Sequence, residues 1–167
     1  MKHLIFIEGV SGVGKSTAVR NLAERLREAG FRVAEHYEGD ADSPLDLCWV
    51  AYLTPEEYAA ALARYPAERE ILKTHTRCAG SYCLVRYRVD RVPLYSEKLD
   101  RDMHSREFCF REGNDLPLSV FTEVFSGLWR RYLRNCPAEL DYDIYDASLV
   151  SHMTNDLMRG YRSEERR

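Results

Sequence analysis

Nine residues near the N-terminus, Gly9-Val10-Ser11-Gly12-Val13-Gly14-Lys15-Ser16-Thr17, carry three glycines, one ammonium group and three hydroxyls. Their spacing satisfies G-x-x-x-x-G-K-[ST] at every fixed position. Each residue type has a physical reason to stand there. Glycines let the backbone curl until successive N–H groups converge on phosphate oxygens, where a Cβ would obstruct them. Lys15 has the reach to neutralise the outer phosphates of a nucleotide, and the Ser16 hydroxyl is a hard oxygen donor suited to Mg²⁺. The segment is thus a candidate nucleotide-phosphate cradle, with Gly9 through Thr17 as its binding residues.

The flanking elements are those such a cradle needs. Leu4-Ile5-Phe6-Ile7 is a short apolar run, as expected of a strand buried on both faces of a parallel sheet. From Ser16 to Ala29 the apolar positions Val19, Leu22, Ala23 and Leu26 recur at helical spacing, and Gly30 stands where a helix-ending glycine belongs. The helix would turn its positive N-terminal end towards the phosphates. Residues 31–38 read as a second strand, so strand, loop, helix and strand form a βαβ unit.

Further along, helical start signals dominate. Ser43-Pro44 opens an expected helix with Leu45, Trp49 and Leu53 on one face; Thr54-Pro55-Glu56-Glu57 is a capping box; Pro66 and Ser96 start two more. Residues 78–89 are richer in β-formers, with Ala79-Gly80 as a hairpin turn. Pro117–Asn135 is the clearest later helix, its stripe of Val120, Phe121, Val124, Phe125, Leu128, Trp129, Tyr132 and Leu133 reading as core. Residues 142–146 form a third candidate strand, polar for a central one, and 151–160 a closing helix.

The stretch FIEGVSGVGKSTAVRNLAERLREAGFRV resembles the opening of P-loop NTPases of the nucleotide and nucleoside kinase-like superfamily, thymidylate kinases especially, over residues 3–38. The resemblance implies a three-layer α/β fold around a parallel sheet. It also implies Mg-ATP as donor and transfer of its γ-phosphoryl group to a small acceptor. On that pattern residues 1–167 form one domain, with a long, mainly helical insertion at about 43–135 and a lid-like segment at 148–167. The family's second strand ends in a residue that meets the acceptor; here that place holds Glu38, Asp40 and Asp42. Acids repel a phosphorylated acceptor and suit a hydroxyl, whose proton a carboxylate takes. Glu38 and Asp40 are therefore both base candidates, and a nucleoside- or antibiotic-like alcohol is the expected acceptor. The resemblance further makes Asp146 the acid that organises Mg²⁺ with Ser16, and Arg159 and Arg162 the lid arginines that close over the phosphates.

Three departures from the family pattern keep alternatives open. The arginine-proline-glycine signature of thymidylate kinases is absent, and Ala147 stands where an arginine commonly follows the acid. Arg86, Arg88 and Arg91 in the middle segment would instead suit an anionic acceptor, which keeps a nucleotide-monophosphate kinase in view. Only three strands are evident where the family has about five. Either the count misses two, or the chain is shortened; a shortened chain predicts an open sheet edge beside the first strand and favours a homodimer. A nucleotide-binding module without transfer chemistry is the reading from another class. A GTPase switch fits worse, because no N-K-x-D segment is present and no Asp-x-x-Gly segment follows a strand.

Composition excludes other classes. A formal net charge of −3 gives no dense basic surface for nucleic acid or acidic membranes. No apolar run approaches the ~20 residues of a membrane span, and Leu4–Ile7 is too short for a signal segment. Five cysteines, Cys48, Cys78, Cys83, Cys109 and Cys136, contain no C-x-x-C pair and are odd in number. They read as reduced thiols of a cytoplasmic protein, with neither zinc nor a disulfide framework. The five histidines have no partner at a telling spacing and receive no role.

Overall fold

The computed structural model describes residues 3–40, 43–109, 116–150 and 154. The chain divides into two compact units, one of Met1–Asp46 with Leu116–Arg167 and one of Leu47–Asp115. No helix among the described residues is long and apolar enough to cross a membrane.

The first unit is a small parallel sheet with helices. Strands β1 (His3–Ile7), β2 (Val33–His36) and β8 (Tyr142–Asp146) lie in the order β1-β8-β2, and both pairings are parallel. These are the three strands read from the sequence, and the latest in the chain is the central one. Its alternation explains how a polar segment occupies the middle. Ile144 packs with Val19 and Ala23 of helix α1 (Lys15–Glu28) on one face. On the other face, Tyr145 meets Phe6 and the Tyr132 ring of helix α5 (Leu118–Asn135). The two helices thus cover opposite faces of the sheet. Burying each aliphatic side chain of such a face contributes roughly 1.5–3 kcal/mol.

Both helices end where the sequence says they should. Gly30 has φ of 87°, a conformation that suits glycine, and lets its own N–H reach the Arg27 carbonyl while the Phe31 N–H reaches Leu26. Along α5 the residues Phe121, Val124, Phe125, Leu128 and Tyr132 are buried, as expected, whereas Leu133 is 62 % exposed.

The second unit holds, beside its helices, an antiparallel sheet that the expectation of a mainly helical insertion did not include. Its centre is an antiparallel sheet of β3 (Val50–Leu53), β5 (Tyr82–Arg86) and β4 (Thr76–Ala79), in that spatial order, with a short β6 (Arg88–Val89) and β7 (Val92–Pro93) ribbon. Helices α2 (Pro55–Arg64), α3 (Arg69–Thr74) and α4 (Glu97–His104) supply the rest. The helix expected from Ser43 does not form: all four β3 residues are buried and pair with β5. The Leu45, Trp49, Leu53 spacing that suggested a helix is overruled by this non-local pairing. The α5 segment, counted within the insertion on sequence grounds, belongs to the first unit.

Local signals elsewhere act as written. The Thr54 side chain accepts from the Glu57 N–H at 3.2 Å, and the Glu57 carboxylate accepts from the Thr54 N–H at 2.8 Å, a complete capping box. Pro66 opens a single 3₁₀ turn (Pro66–Glu68) that runs into α3. Ser96 does precede α4, but it caps nothing with its side chain; its hydroxyl and N–H both donate to Glu68 instead. Ala51, Leu53, Leu72, Val85, Tyr87 and Leu99 form the buried centre of this unit.

Cys78 and Cys83 stand opposite each other in the β4–β5 ladder and form a disulfide. This corrects the reading of five reduced thiols. The sequence separation of five is uninformative until the hairpin register is drawn, and then it places the two sulfurs face to face. Cys48, Cys109 and Cys136 are half-buried thiols outside any disulfide.

Candidate functional site

The three parallel strands bring their carboxyl ends to one edge of the sheet, the usual place for ligands in open α/β sheets. The glycine loop follows β1 there, the Glu38–Asp40 turn follows β2, and Asp146 ends β8.

The loop closes on itself. The Val13 N–H donates to the Val10 carbonyl, and Lys15 Nζ donates to the same oxygen at 3.3 Å. Gly12 and Gly14 have φ of 80° and 93°, a left-handed backbone that a side chain would strain. Gly14 immediately precedes α1 and gives it no side-chain cap, and the first turn holds no acidic residue. The N–H groups and positive pole of this helix end are therefore available to an anion. Val10 and Val13 are exposed on the loop, at 77 % and 63 %. Ser11 and Thr17 are exposed as well.

Ser16 and Asp146, 130 residues apart, meet directly: the Ser16 Oγ donates to Asp146 Oδ2 at 2.6 Å. Asp146 is 2 % exposed, and its other oxygen, Oδ1, has no hydrogen-bond partner. A buried carboxylate oxygen left without a partner costs on the order of 1–3 kcal/mol, more when charged, and such an orphan asks for a ligand. The pair fits a hard cation such as Mg²⁺. The hydroxyl donates its hydrogen bond to the carboxylate and keeps its lone pairs for a cation, and Mg²⁺ is commonly held by one or two protein oxygens together with phosphates and water. No group of three or more His, Cys, Asp or Glu side chains suited to a metal occurs among the described residues.

Two further carboxylates shape the edge. Glu8 Oε1 accepts the Leu149 and Val150 N–H groups at 2.8 and 3.0 Å, tying the segment after β8 to the end of β1. Asp46 Oδ2 accepts the Gly39 N–H at 2.6 Å, and the Asp40 N–H donates to the Tyr37 carbonyl. The base candidates therefore sit on a tight turn fixed from inside. Glu38 is exposed and Asp40 half-buried, and the register places both at the carboxyl edge without choosing between them. Ala147, in the arginine's place, donates its N–H to Ile7 and has φ of 58°. Arg159 and Arg162, together with Asp42, lie outside the described residues, as does the expected closing helix apart from helical Thr154.

Behind the central strand lies a polar cluster that the sequence does not announce. Asp143 is 1 % exposed; its carboxylate receives His36 Nε2 at 2.8 Å and the Tyr132 hydroxyl in a short hydrogen bond. Burial and the hydrogen bond to Asp143 push the Tyr132 phenol well above its ordinary range. His36 stacks on Tyr145 at 4.5 Å.

A groove of about 430 Å³ runs along α5, lined by Leu118, Phe121, Phe125 and Trp129 with Thr122, Ser126 and Arg130. Tyr132 sits level with Asp143, and Trp129 with Phe6, the partner of Tyr145 in the ladder. The helix is thus antiparallel to β8. Phe125, one turn before Trp129 and about 6 Å further along, approaches the carboxyl edge. Phe121 and Phe125 are buried, as their place in the apolar stripe predicts, and they also floor this groove.

In the second unit, Arg88 makes a two-pronged ion pair with Asp100, at 2.8 and 2.6 Å, and lies over the Trp49 ring. Arg86 donates to the Cys48 carbonyl. Arg91 lies in the Asp90-Arg91 hairpin turn, where both residues have positive φ. His104, given no role from sequence, has its Nδ1 at 2.8 Å from the Tyr87 hydroxyl and 3.3 Å from buried Glu107. The His-x-x-Glu spacing was the available signal. No protein-family model, curated protein or solved structure matches this chain.

Proposed function

We propose that the chain is a phosphotransferase that moves the γ-phosphoryl group of Mg-ATP to a hydroxyl of a small, partly aromatic molecule. The observation that carries the reading is the Ser16–Asp146 contact with its orphaned, buried Oδ1, set beside a glycine loop at an uncapped helix end. Bound Mg²⁺ would neutralise phosphate charge there. Gly9–Thr17 would cradle the phosphates, and Lys15 would balance the charge that spreads over the transferred group. The acceptor hydroxyl oxygen bonds to γ-phosphorus as the bond to the bridging oxygen breaks, and its proton passes to Glu38 or Asp40. ADP then leaves with the bridging oxygen.

The acceptor's nature follows from two features. The carboxylates at the edge disfavour a phosphorylated acceptor. The α5 groove offers Phe121, Phe125 and Trp129 to a flat apolar body, with Thr122, Ser126 and Arg130 for its polar groups. Of the three arginines that would suit an anionic acceptor on sequence grounds, Arg86, Arg88 and Arg91, Arg88 is already held by Asp100, which weakens the nucleotide-monophosphate reading. A panel of nucleosides, aminoglycosides and phenolic alcohols with radiolabelled ATP tests the proposal: transfer to at least one, lost in both Lys15→Ala and Asp146→Asn, is expected. Transfer to none of them while ATP still binds would favour the second reading, a nucleotide-binding module, for which Ala147 in place of an arginine is the supporting observation.

A further inference from the structure

Cys78 and Cys83 have a chemistry that the phosphate site does not use. The two residues pair directly across a hairpin whose turn is Gly80-Ser81, with Ala79 opposite Tyr82 and Cys78 opposite Cys83. The sulfurs are bonded across a sequence separation of five. A bridge stabilises a fold chiefly by shortening the loops of the unfolded chain, and the effect grows with loop length. This one closes a short segment that the β4–β5 ladder already closes, so the native hairpin does not depend on it. The two ends also differ. Cys78 is exposed on β4, an edge strand that pairs only with β5 among the described residues. Cys83 is 2 % exposed in the central strand.

We propose that Cys78–Cys83 is a thiol–disulfide exchange site, opened and closed in the folded protein by a low-molecular-weight thiol that enters at Cys78. The asymmetry of burial sets the course. An incoming thiolate attacks the sulfur of Cys78, the exposed residue of the pair, a mixed disulfide forms there, and the S–S bond breaks towards Cys83, whose thiolate takes a proton from water. A second thiolate attacks the external sulfur of the mixed disulfide and releases Cys78. The balance is one protein disulfide and two thiols giving one protein dithiol and one small-molecule disulfide. The buried member is screened, so a mixed disulfide does not accumulate on it. The state of the hairpin then follows the thiol poise of its surroundings.

The test uses the full chain in non-denaturing buffers of graded reduced-to-oxidised glutathione ratio. Samples are quenched with N-ethylmaleimide, and alkylation is read by intact mass and peptide mapping after denaturation. The expected result is three alkylated cysteines at the oxidised end and all five at the reduced end, residues 78 and 83 converting together while circular dichroism stays constant. A chain with five alkylated cysteines throughout has no bridge and overturns the proposal. A chain that keeps the bridge in excess dithiothreitol until it is unfolded overturns it as well. The entry point is tested with Cys83→Ala and Cys78→Ala in oxidised glutathione: the first accumulates a glutathione adduct on Cys78, the second none on Cys83. An adduct on Cys83 would contradict the direction of attack.

Discussion

Replacing Asp146 by Asn removes a charge without removing volume, and so separates cation binding from the fold. The account predicts that Asp146→Asn weakens ATP binding in the presence of Mg²⁺ by at least about tenfold, roughly 1.4 kcal/mol. ATP binding without Mg²⁺ should change by less than about twofold, and calorimetric titration reads both. Equal effects with and without Mg²⁺ would mean that the carboxylate only holds Ser16 in place. Asp143, three residues earlier, has a different role. It points to the opposite face and is the shared acceptor of His36 and Tyr132, so Asp143→Ala strands a buried hydroxyl and a half-buried imidazole. A loss of about 3–5 kcal/mol in urea unfolding is expected, with unchanged specificity among acceptors. A loss below about 1 kcal/mol would show that the cluster is not a structural clasp. Neither role was legible from residue type alone. Asp146 is singled out through the family resemblance, as the acid that ends the third strand, whereas Asp143 is understood only once β8 is central, with α5 behind it.

At the scale of elements, the legible parts are those specified by neighbours in sequence. Thr54 and Glu57 are three residues apart and need nothing else to cap α2, so Thr54→Ala should cost about 1 kcal/mol, seen as faster amide exchange in the first turn of α2 with Mg-ATP binding unaltered. Gly30, the glycine loop and the α5 stripe were equally local. The misread parts depend on distant partners. Val50–Leu53 becomes a strand because β5 lies beside it, and Ser96 turns from cap to ligand of Glu68, 28 residues away. The Cys78–Cys83 pairing is half legible: a hairpin turn is expected at Ala79-Gly80, and the structure places it one residue later, at Gly80-Ser81, with the register that sets the two cysteines opposite. One non-local tie between elements carries a pH signature. Asp141, just before β8, accepts from the side chain and the N–H of Arg32, just before β2. The Arg32 hydrogen bond holds the Asp141 carboxyl below its ordinary value. Because the folded pKa is depressed, the stabilisation is present above the unfolded value of about 3.9 and fades as pH falls through the folded one. Asp141→Asn should therefore lower the melting temperature slightly in the neutral range, where the tie is present, and flatten its fall below about pH 4; an unaltered acid limb would count against the tie.

For the molecule as a whole, the first unit contains every residue to which the proposed chemistry assigns a role among those described, and the second unit contains the exchangeable cysteine pair. The outer edge of β1 pairs with no strand among the described residues, and an open edge is a template for a second chain. The account therefore expects a concentration-dependent dimer in sedimentation velocity, disrupted by Leu4→Pro on that edge; a monomer across the accessible concentrations would show that the edge is protected. The central claim is that Gly9–Thr17, with Asp146, binds Mg-ATP, and the most direct measurement is the melting temperature of wild type and Lys15→Ala with and without it. At a hundred times the dissociation constant, a ligand stabilises the native state by about 2.7 kcal/mol, which in a chain of this size raises the melt by roughly 5–10 °C. The account predicts that rise in the wild type and its loss in Lys15→Ala. An unmoved melt in well-folded wild type, or an equal rise in both proteins, would contradict it.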